Sequence, residues 1–250
     1  MYKQIKMQWT VTAMLIWLFF GCKKDPTQPE NARFYTIILK SSASSPIRGG
    51  EVSIQTARSD YRATTGDDGK AQFTIPNEVL LPAFVIVTAD HQSTMPEART
   101  LPGTHDSNTN RTIICEPAPS RVLVREATLH HIGDDNYTGD PNSQLQIPAE
   151  GIRLSFAFNL SGIPVSMPFI RFYARGIQRR TEIKINGITV DRLADSDPDG
   201  DLSRYSGQLT ANPATVFRIG TNLITIETVY DSSIDDWDDI EFCSMLLYYP

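Results

Sequence analysis

The sequence is short of cationic side chains and lacks the common catalytic signatures. Lysine and arginine number 23 against 29 aspartates and glutamates, which gives a formal net charge of −6. Because binding to a phosphate backbone needs clustered cationic side chains, this balance argues against a nucleic-acid partner. The serine nucleophile elbow, the zinc-binding H-E-x-x-H helix and the glycine-rich phosphate loop are all missing. We therefore expect a binding or structural protein and no enzyme.

Apolar residues at helical spacing are also scarce. In their place stand short alternating or β-branched runs, separated by Gly, Asp, Asn or Pro roughly every 8–12 residues, a pattern typical of β-sandwiches. The predicted fold class is all-β, as two tandem β-sandwiches over 33–117 and 121–250, with the Pro-rich segment EPAPS between them. The predicted strands are FYTIILK, EVSIQT, AQFTIP, AFVIVTA and RTIIC, then RVLVREATL, IRLSFAFNL, PFIRFYARG, TEIKING, NLITIETVY and DIEFCSMLLYY.

Cysteine is rare, with three residues in the chain. Cys115 and Cys243 each lie in an apolar, strand-like run. An exported protein could join them in a disulfide that ties the last strand of one domain to the last strand of the other. Both also suit the role of small buried hydrophobic side chains, so the sequence leaves the choice open.

The third cysteine follows the longest apolar run, residues 11–20. This run comes after two lysines and is too short to span a bilayer, which takes about 20 apolar residues, so it predicts a signal peptide over 1–21. The end of the run, FFGC, resembles a bacterial lipobox, which implies a lipid on Cys22. Residues 22–32 would then be the lipidated cysteine and a flexible linker. We expect a cell-envelope protein anchored to a membrane through its N-terminal lipid. An uncleaved anchor and a coincidental cysteine are the alternatives.

The first half carries the segments PIRGGEVSI, TGDDGKAQFTIP and FVIVTADHQ. Together they resemble the carboxypeptidase regulatory-like domain, a prealbumin-like (Ig-like) β-sandwich. Gly50 stands where that family usually has Ala, and His91-Gln92 replace its Gly-Tyr. The resemblance implies a spacer or docking module without peptidase activity. The matching positions are Pro46, Ile47, Gly49, Val52, Thr65, Asp67, Gly69 and Phe73.

Acidic residues of the second half fall into three clusters, at 134–140, 195–201 and 231–241. Grouped carboxylates repel one another unless solvent or a cation offsets their charge, and Ca²⁺, which takes six to eight oxygen ligands, is the usual cation. Because the first and last strands of a sandwich often lie side by side, we expect the first and third clusters to meet. The middle cluster, DSDPDGD, is interpreted mainly as a tight turn, with a calcium loop as the alternative. A separate alternative is a His/Asp metal site beside the first cluster, in which His131 would take part. The predicted calcium ligands are Asp134, Asp135, Asp239 and Glu241.

The second half also contains HIGDDNYTG, EIKINGITV, GTNLITIETVY and DDWDDIEFCSMLLYY. These segments resemble the galactose-binding-like jelly-roll domains and the carbohydrate-binding modules built on them. The resemblance implies a jelly-roll sandwich, a structural Ca²⁺ near the termini and a glycan ligand at the loop end.

Sugars bind to flat aromatic faces flanked by hydrogen-bonding side chains. Tyr137, Tyr205 and Trp237 lie in predicted loops or at their edges and are the candidate ligand-binding residues, with packing against the sheets as the alternative. The expected partner is a glycan. A surface-complex protein is the alternative partner, favoured by the apolar C-terminal segment MLLYYP.

Overall fold

The structure, a computed structural model, describes residues 32–56, 59–76, 84–102, 108–135, 147–177, 181–193, 202–232 and 235–250. The predicted signal peptide, Cys22, Tyr137 and the whole middle acidic cluster lie outside the described residues. Residues Arg33–Pro250 belong to one compact unit. Within the described ranges, no helix combines the length and apolarity needed to cross a membrane.

The first half of this unit is a β-sandwich of two sheets. Its sheets have the strand orders β4-β1-β7 and β3-β2-β5-β6, and β7 runs parallel to β1. Alternating apolar side chains such as Ile37, Leu39 and Phe73 point between the sheets and form the first core. The strands are β1 Ala32–Ser41, β2 Glu51–Gln55, β3 Asp60–Thr64, β4 Lys70–Pro76, β5 Phe84–Asp90, β6 Glu97–Pro102 and β7 Asn108–Cys115.

The second half is another two-sheet sandwich with its own core. One sheet has the order β10-β15-β12-β13; the other has the order β14-β11-β18-β8, with β9 also paired to β18. A single helical turn spans Pro213–Val216. The strands are β8 Arg121–Glu126, β9 His130–Ile132, β10 Arg153–Leu160, β11 Phe169–Arg175, β12 Glu182–Ile185, β13 Ile188–Arg192, β14 Ser203–Gln208, β15 Gly220–Glu227, β16 Tyr230–Asp231, β17 Asp236–Trp237 and β18 Ile240–Tyr249. The predicted all-β sandwich fold class is confirmed.

The two sandwiches pack against each other through β5 and β6 on one side and β11 and β18 on the other. A third apolar cluster forms there from Ile86, Ala98, Leu129, Tyr173 and Cys243. Both faces of β5 and of β18 are consequently buried, which explains their nearly continuous apolar sequences. The two halves therefore share a buried contact.

The Pro-rich segment between the halves is bonded to the first sandwich. The Met95 amide donates to the Glu116 carbonyl at 2.8 Å, and the Ala118 amide donates to the Ser93 carbonyl at 2.9 Å. Thr94 and Pro117 form an isolated β-bridge between these bonds. The Pro-rich segment between the two halves is therefore held against the first sandwich by backbone hydrogen bonds.

Both cysteines of the described body are free thiols. Cys115 lies in the first core and Cys243 in the cluster between the sandwiches, and both are buried. The sequence left open whether the two cysteines form a disulfide or act as small buried hydrophobic side chains, and the structure shows the second role.

Candidate functional site

The first and third acidic clusters meet where β9 pairs with β18. His131 lies opposite Glu241 in this antiparallel pairing. Just beyond β9, the Asp135 amide donates to Asp239 Oδ1 at 3.2 Å. The close approach requires glycine at position 133, since a Cβ there would lie 1.7 Å from Asp239 Oδ1. The neighbouring strands thus bring the Asp135 backbone to the Asp239 carboxylate, while the side chains of Asp134 and Asp135 are both exposed.

His131 is the centre of this arrangement and is only 2% exposed. Its Nε2 lies 3.1 Å from Asp239 Oδ1, and its Nδ1 lies 2.5 Å from the Ile147 carbonyl oxygen. Both ring nitrogens face acceptors, and both can donate at once only when the ring is protonated. Burial by itself lowers the pKa of His131, but the bonds to Asp239 and Ile147 and the charge of Glu241 outweigh burial and raise it.

Glu241 faces a different cation. Its Oε2 accepts from Arg175 Nε and lies 2.6 Å from Arg175 Nη2, and both side chains are almost completely buried. The charges of Asp239 and Glu241 are therefore offset by His131 and Arg175. Among the described residues, no group of three or more His, Cys, Asp or Glu side chains could hold a metal ion. This arrangement does not fit a calcium cage built on the four predicted ligands.

His130 points to the opposite side of β9, as adjacent residues of a strand do. Its ring packs between Phe156 and Phe242 of the second core, with centroids 5.5 and 5.3 Å away, and its Nδ1 lies 3.0 Å from Glu150 Oε1. His130 and Thr128 hold the pKa of Glu126 down at about 2. The two histidines anchor the start of β18 and residues 147–150 to β9, and they do not converge on one site.

Trp237 lies on a small two-stranded ribbon, which we call the aromatic ribbon (β16 and β17). It stands directly opposite Tyr230, and the two ring centroids are 5.2 Å apart at an angle of 51°. Tyr230 is 42% exposed and Trp237 is half-buried. The Tyr230 hydroxyl bonds to Asp235, whose side chain is exposed. The sequence singled out Trp237 but missed Tyr230, although the pair flanks a turn rich in Ser and Asp.

Tyr205 is placed differently from Trp237. Its ring packs on the fully buried Phe172, with centroids 5.2 Å apart, and its hydroxyl bonds to Asp191. Burial and the neighbouring Asp191 carboxylate raise the pKa of this hydroxyl. Tyr205 therefore packs at the edge of the second core. Of the two predicted aromatic ligands that the structure describes, Trp237 is the one that belongs to an exposed aromatic pair.

Comparison with known proteins leaves the chain without an assigned family. No protein-family model matches it, and no curated protein matches it. Several solved structures share its β architecture at low similarity. They include a DUF3823 family protein from Parabacteroides merdae, with 9% identity over 88% of this chain and 99% of that one, and a TM-score of 0.26. The full-length major pilin SpaD from Corynebacterium diphtheriae has 12% identity over 86% of this chain and 57% of that one, and a TM-score of 0.29.

A third solved structure is the TIE protein of Bacillus anthracis, with 13% identity over 79% of this chain and 31% of that one, and a TM-score of 0.30. The chain spans less than two thirds of the length of the TIE protein and of SpaD. TM-scores and identities this low carry no argument about function.

Proposed function

We propose that this chain is a non-enzymatic binding protein of the cell envelope, tethered through Cys22, whose second sandwich holds a carbohydrate at the aromatic ribbon. The observation that carries the proposal is the pair of an exposed Tyr230 and a half-buried Trp237 beside the carboxylate of Asp235. The rings offer an apolar surface to the C–H face of a sugar, and the carboxylate accepts hydrogen bonds from its hydroxyl groups.

The first sandwich then serves as a spacer that supports this site. Since the two sandwiches share a buried cluster and the Pro-rich segment is hydrogen-bonded to the first sandwich, the aromatic ribbon keeps one orientation relative to that spacer. A fixed orientation suits a tethered binding protein because it lowers the entropy lost when the ligand binds. If no carbohydrate binds, the result would favour a protein partner for this chain in place of a glycan.

The test is a glycan array probed with the processed protein and three variants. Trp237→Ala removes the larger aromatic face, Trp237→Phe keeps an aromatic face, and Tyr249→Ala is the matched control. Tyr249 is a half-buried aromatic residue at the far end of β18, roughly 30 Å along the strand from Ile240.

We expect binding to one class of glycan to weaken more than about tenfold in Trp237→Ala, because truncating a central aromatic contact costs about 2 kcal/mol or more. Trp237→Phe should retain part of the affinity, and Tyr249→Ala all of it. The proposal fails when no glycan binds above background, or when Trp237→Ala binds as tightly as the parent protein.

Calcium stays a prediction that is separate from the glycan. The described acidic residues do not form a metal cage, and the whole cluster at 195–201 lies outside the described residues. A ligand that binds only the folded state raises Tm by mass action. A melting curve that rises with Ca²⁺ and falls with a chelator supports the prediction, and an unchanged curve removes calcium.

A further inference from the structure

A cleft of about 290 Å³ lies where the two sandwiches meet. One wall is the outer face of the sheet formed by β3, β2 and β5, and the other is the segment Ala127–Leu129 that follows β8. We call this space the junction cleft. Ligand sites often lie between packed modules and measure about 300–1,000 Å³, so the junction cleft has room for one compact, ring-sized ligand.

The lining of the junction cleft is polar because of strand alternation. Residues such as Ile54 and Val87 point into the first core, so their neighbours on β2 and β5 point to the opposite face. On an isolated sandwich this face would be bathed in solvent. Here the second sandwich covers part of this face, while Glu51, Asp60, Arg62 and Thr64 stay exposed at the open side. The hydrogen-bonding residues that line the cleft are Glu51, Ser53, Gln55, Asp60, Arg62, Thr64, Thr88 and Asp90.

Most of the charge in this row is neutralised within the protein. Asp60 accepts from Ser53 and from Arg62 Nε, the latter at 2.6 Å. Asp90 accepts from Arg125, with Arg125 Nε at 2.8 Å. Such paired carboxylates are fixed in position and still have free lone pairs to accept hydrogen bonds. They suit hydroxyl donors better than they suit an ion, since their charge is already balanced.

Thr88 is the buried member among the polar residues that line the cleft, at 6% exposure. In the described part of the chain, its side-chain hydroxyl makes no hydrogen bond. Because Thr88 Oγ1 is not one of the fully buried, unpartnered side-chain atoms of the described residues, it can be reached from the cleft, where a water or a ligand can be its hydrogen-bonding partner. Thr88 can both donate and accept, which is what a ligand hydroxyl requires of its partner.

The geometry points to the junction cleft as a binding site for a compact neutral polyol, such as one monosaccharide unit, with Thr88 and the fixed carboxylates of Asp60 and Asp90 as its hydrogen-bonding partners. Leu129 and Ala127 supply the apolar wall against which the carbon skeleton packs. This site goes beyond the proposed function, because it shares no residue with the aromatic ribbon and would exist if the ribbon bound nothing.

The experiment is isothermal titration calorimetry of the processed protein with defined sugars. The neutral probes are D-glucose, D-galactose, D-mannose and N-acetyl-D-glucosamine, and the charged probes are D-glucosamine and D-glucuronate. Thr88→Val removes the hydroxyl while keeping the branched shape, and Ala127→Leu fills the cleft. Thr74→Val, on β4 in the other sheet of the same sandwich, is the matched control. Melting curves verify that each variant is folded.

We expect at least one neutral sugar to bind saturably and to lose about three- to tenfold in affinity in Thr88→Val, the effect of one lost hydrogen bond. Ala127→Leu should weaken binding by at least as much, whereas Thr74→Val should not. The inference is overturned when no neutral sugar binds, when a charged sugar binds more tightly, or when both cleft variants bind normally. If Trp237→Ala alone abolishes binding, the sugar occupies the ribbon, which overturns the inference and leaves the proposed function standing.

Discussion

Arg171 and Glu97 form an ion pair in the contact between the two sandwiches, and each side chain is only 2% exposed. The Tyr173 hydroxyl donates to the same Glu97 carboxylate and accepts from Arg171 at 3.1 Å. Ser244 of β18 adds a bond to the Glu97 carbonyl at 2.9 Å. The junction is thus held by a buried polar network as well as by apolar packing, and such a network favours one relative placement of the two halves.

We expect Glu97→Gln to lower the free energy of unfolding by about 3–5 kcal/mol, because it removes the buried counter-charge of Arg171. The remaining carboxylate near Arg171 belongs to the half-exposed Glu116, whose Oε2 lies 3.5 Å from Arg171 Nη1. Chemical denaturation measures the change. The control is Arg48→Ala, which breaks an ion pair whose side chains are 78% and 82% exposed and should change stability by less than about 1 kcal/mol. Equal effects of the two substitutions would show that the Arg171–Glu97 pair does not hold the junction.

His131 should make stability depend on pH. Its pKa is raised in the folded state, so the folded protein binds the proton more tightly than the unfolded chain does. The stabilisation is complete below the unfolded pKa of about 6.5 and is lost as the pH rises through the folded pKa. We expect the free energy of unfolding to fall from pH 6 towards pH 8.

The variant His131→Gln isolates this contribution, since the raised pKa of His130 acts with the same sign and remains in place. The difference in unfolding free energy between the parent protein and His131→Gln should shrink as the pH rises above 6.5. A difference that stays constant across this range would mean that His131 is neutral in the folded protein.

Gly133→Ala should destabilise the contact between β9 and the start of β18. The added Cβ would lie 1.7 Å from Asp239 Oδ1 and 2.8 Å from the Asp239 Cα, so the backbone has to move. Overpacking of this kind costs about 1–3 kcal/mol. Gly162→Ala is the control, because nothing lies within 4 Å of its added Cβ, and it should change stability by less than about 0.5 kcal/mol. Similar melting temperatures for both variants would contradict the geometry at Gly133.

The two thiols of the body should resist alkylation in the folded protein. Burial raises the pKa of Cys115 to about 11 and also raises the pKa of Cys243, while the reactive species is the thiolate. Iodoacetamide treatment followed by peptide mapping should find both unmodified before denaturation and both modified after it. Modification of Cys115 or Cys243 in the native protein would show that its strand opens readily, and a disulfide between them would contradict the free thiols.

The sequence predicts those strands in which apolar residues that face a core alternate with polar residues that face solvent. In β1 and β4, every second residue is apolar and buried, so the period alone reveals the strand. The strands DYRAT (β3), EARTLP (β6) and SRYSGQ (β14) escaped prediction, because charged or small residues hide the period and pairing with a neighbour makes them strands.

The contacts of the candidate site also differ in whether the sequence could predict them. The meeting of Asp135 with Asp239 follows from the adjacency of the first and last strands, a rule that needs only the strand order. The pairing of Glu241 with Arg175 depends on β11 being the other neighbour of β18, which no short motif encodes. The Arg171–Glu97 pair requires knowing which outer faces of the two sandwiches touch, and a single sequence does not contain that information.

The most direct test of the central claim, a glycan held at the aromatic ribbon, uses the fluorescence of Trp237. Two of the three tryptophans, Trp9 and Trp17, lie in the predicted signal peptide, so Trp237 is the single tryptophan of the processed chain. Titration with the glycan selected on the array should change the emission along a saturable curve, and a sugar bound in the junction cleft should leave it unchanged. Binding of that glycan with no change in Trp237 emission would contradict the account.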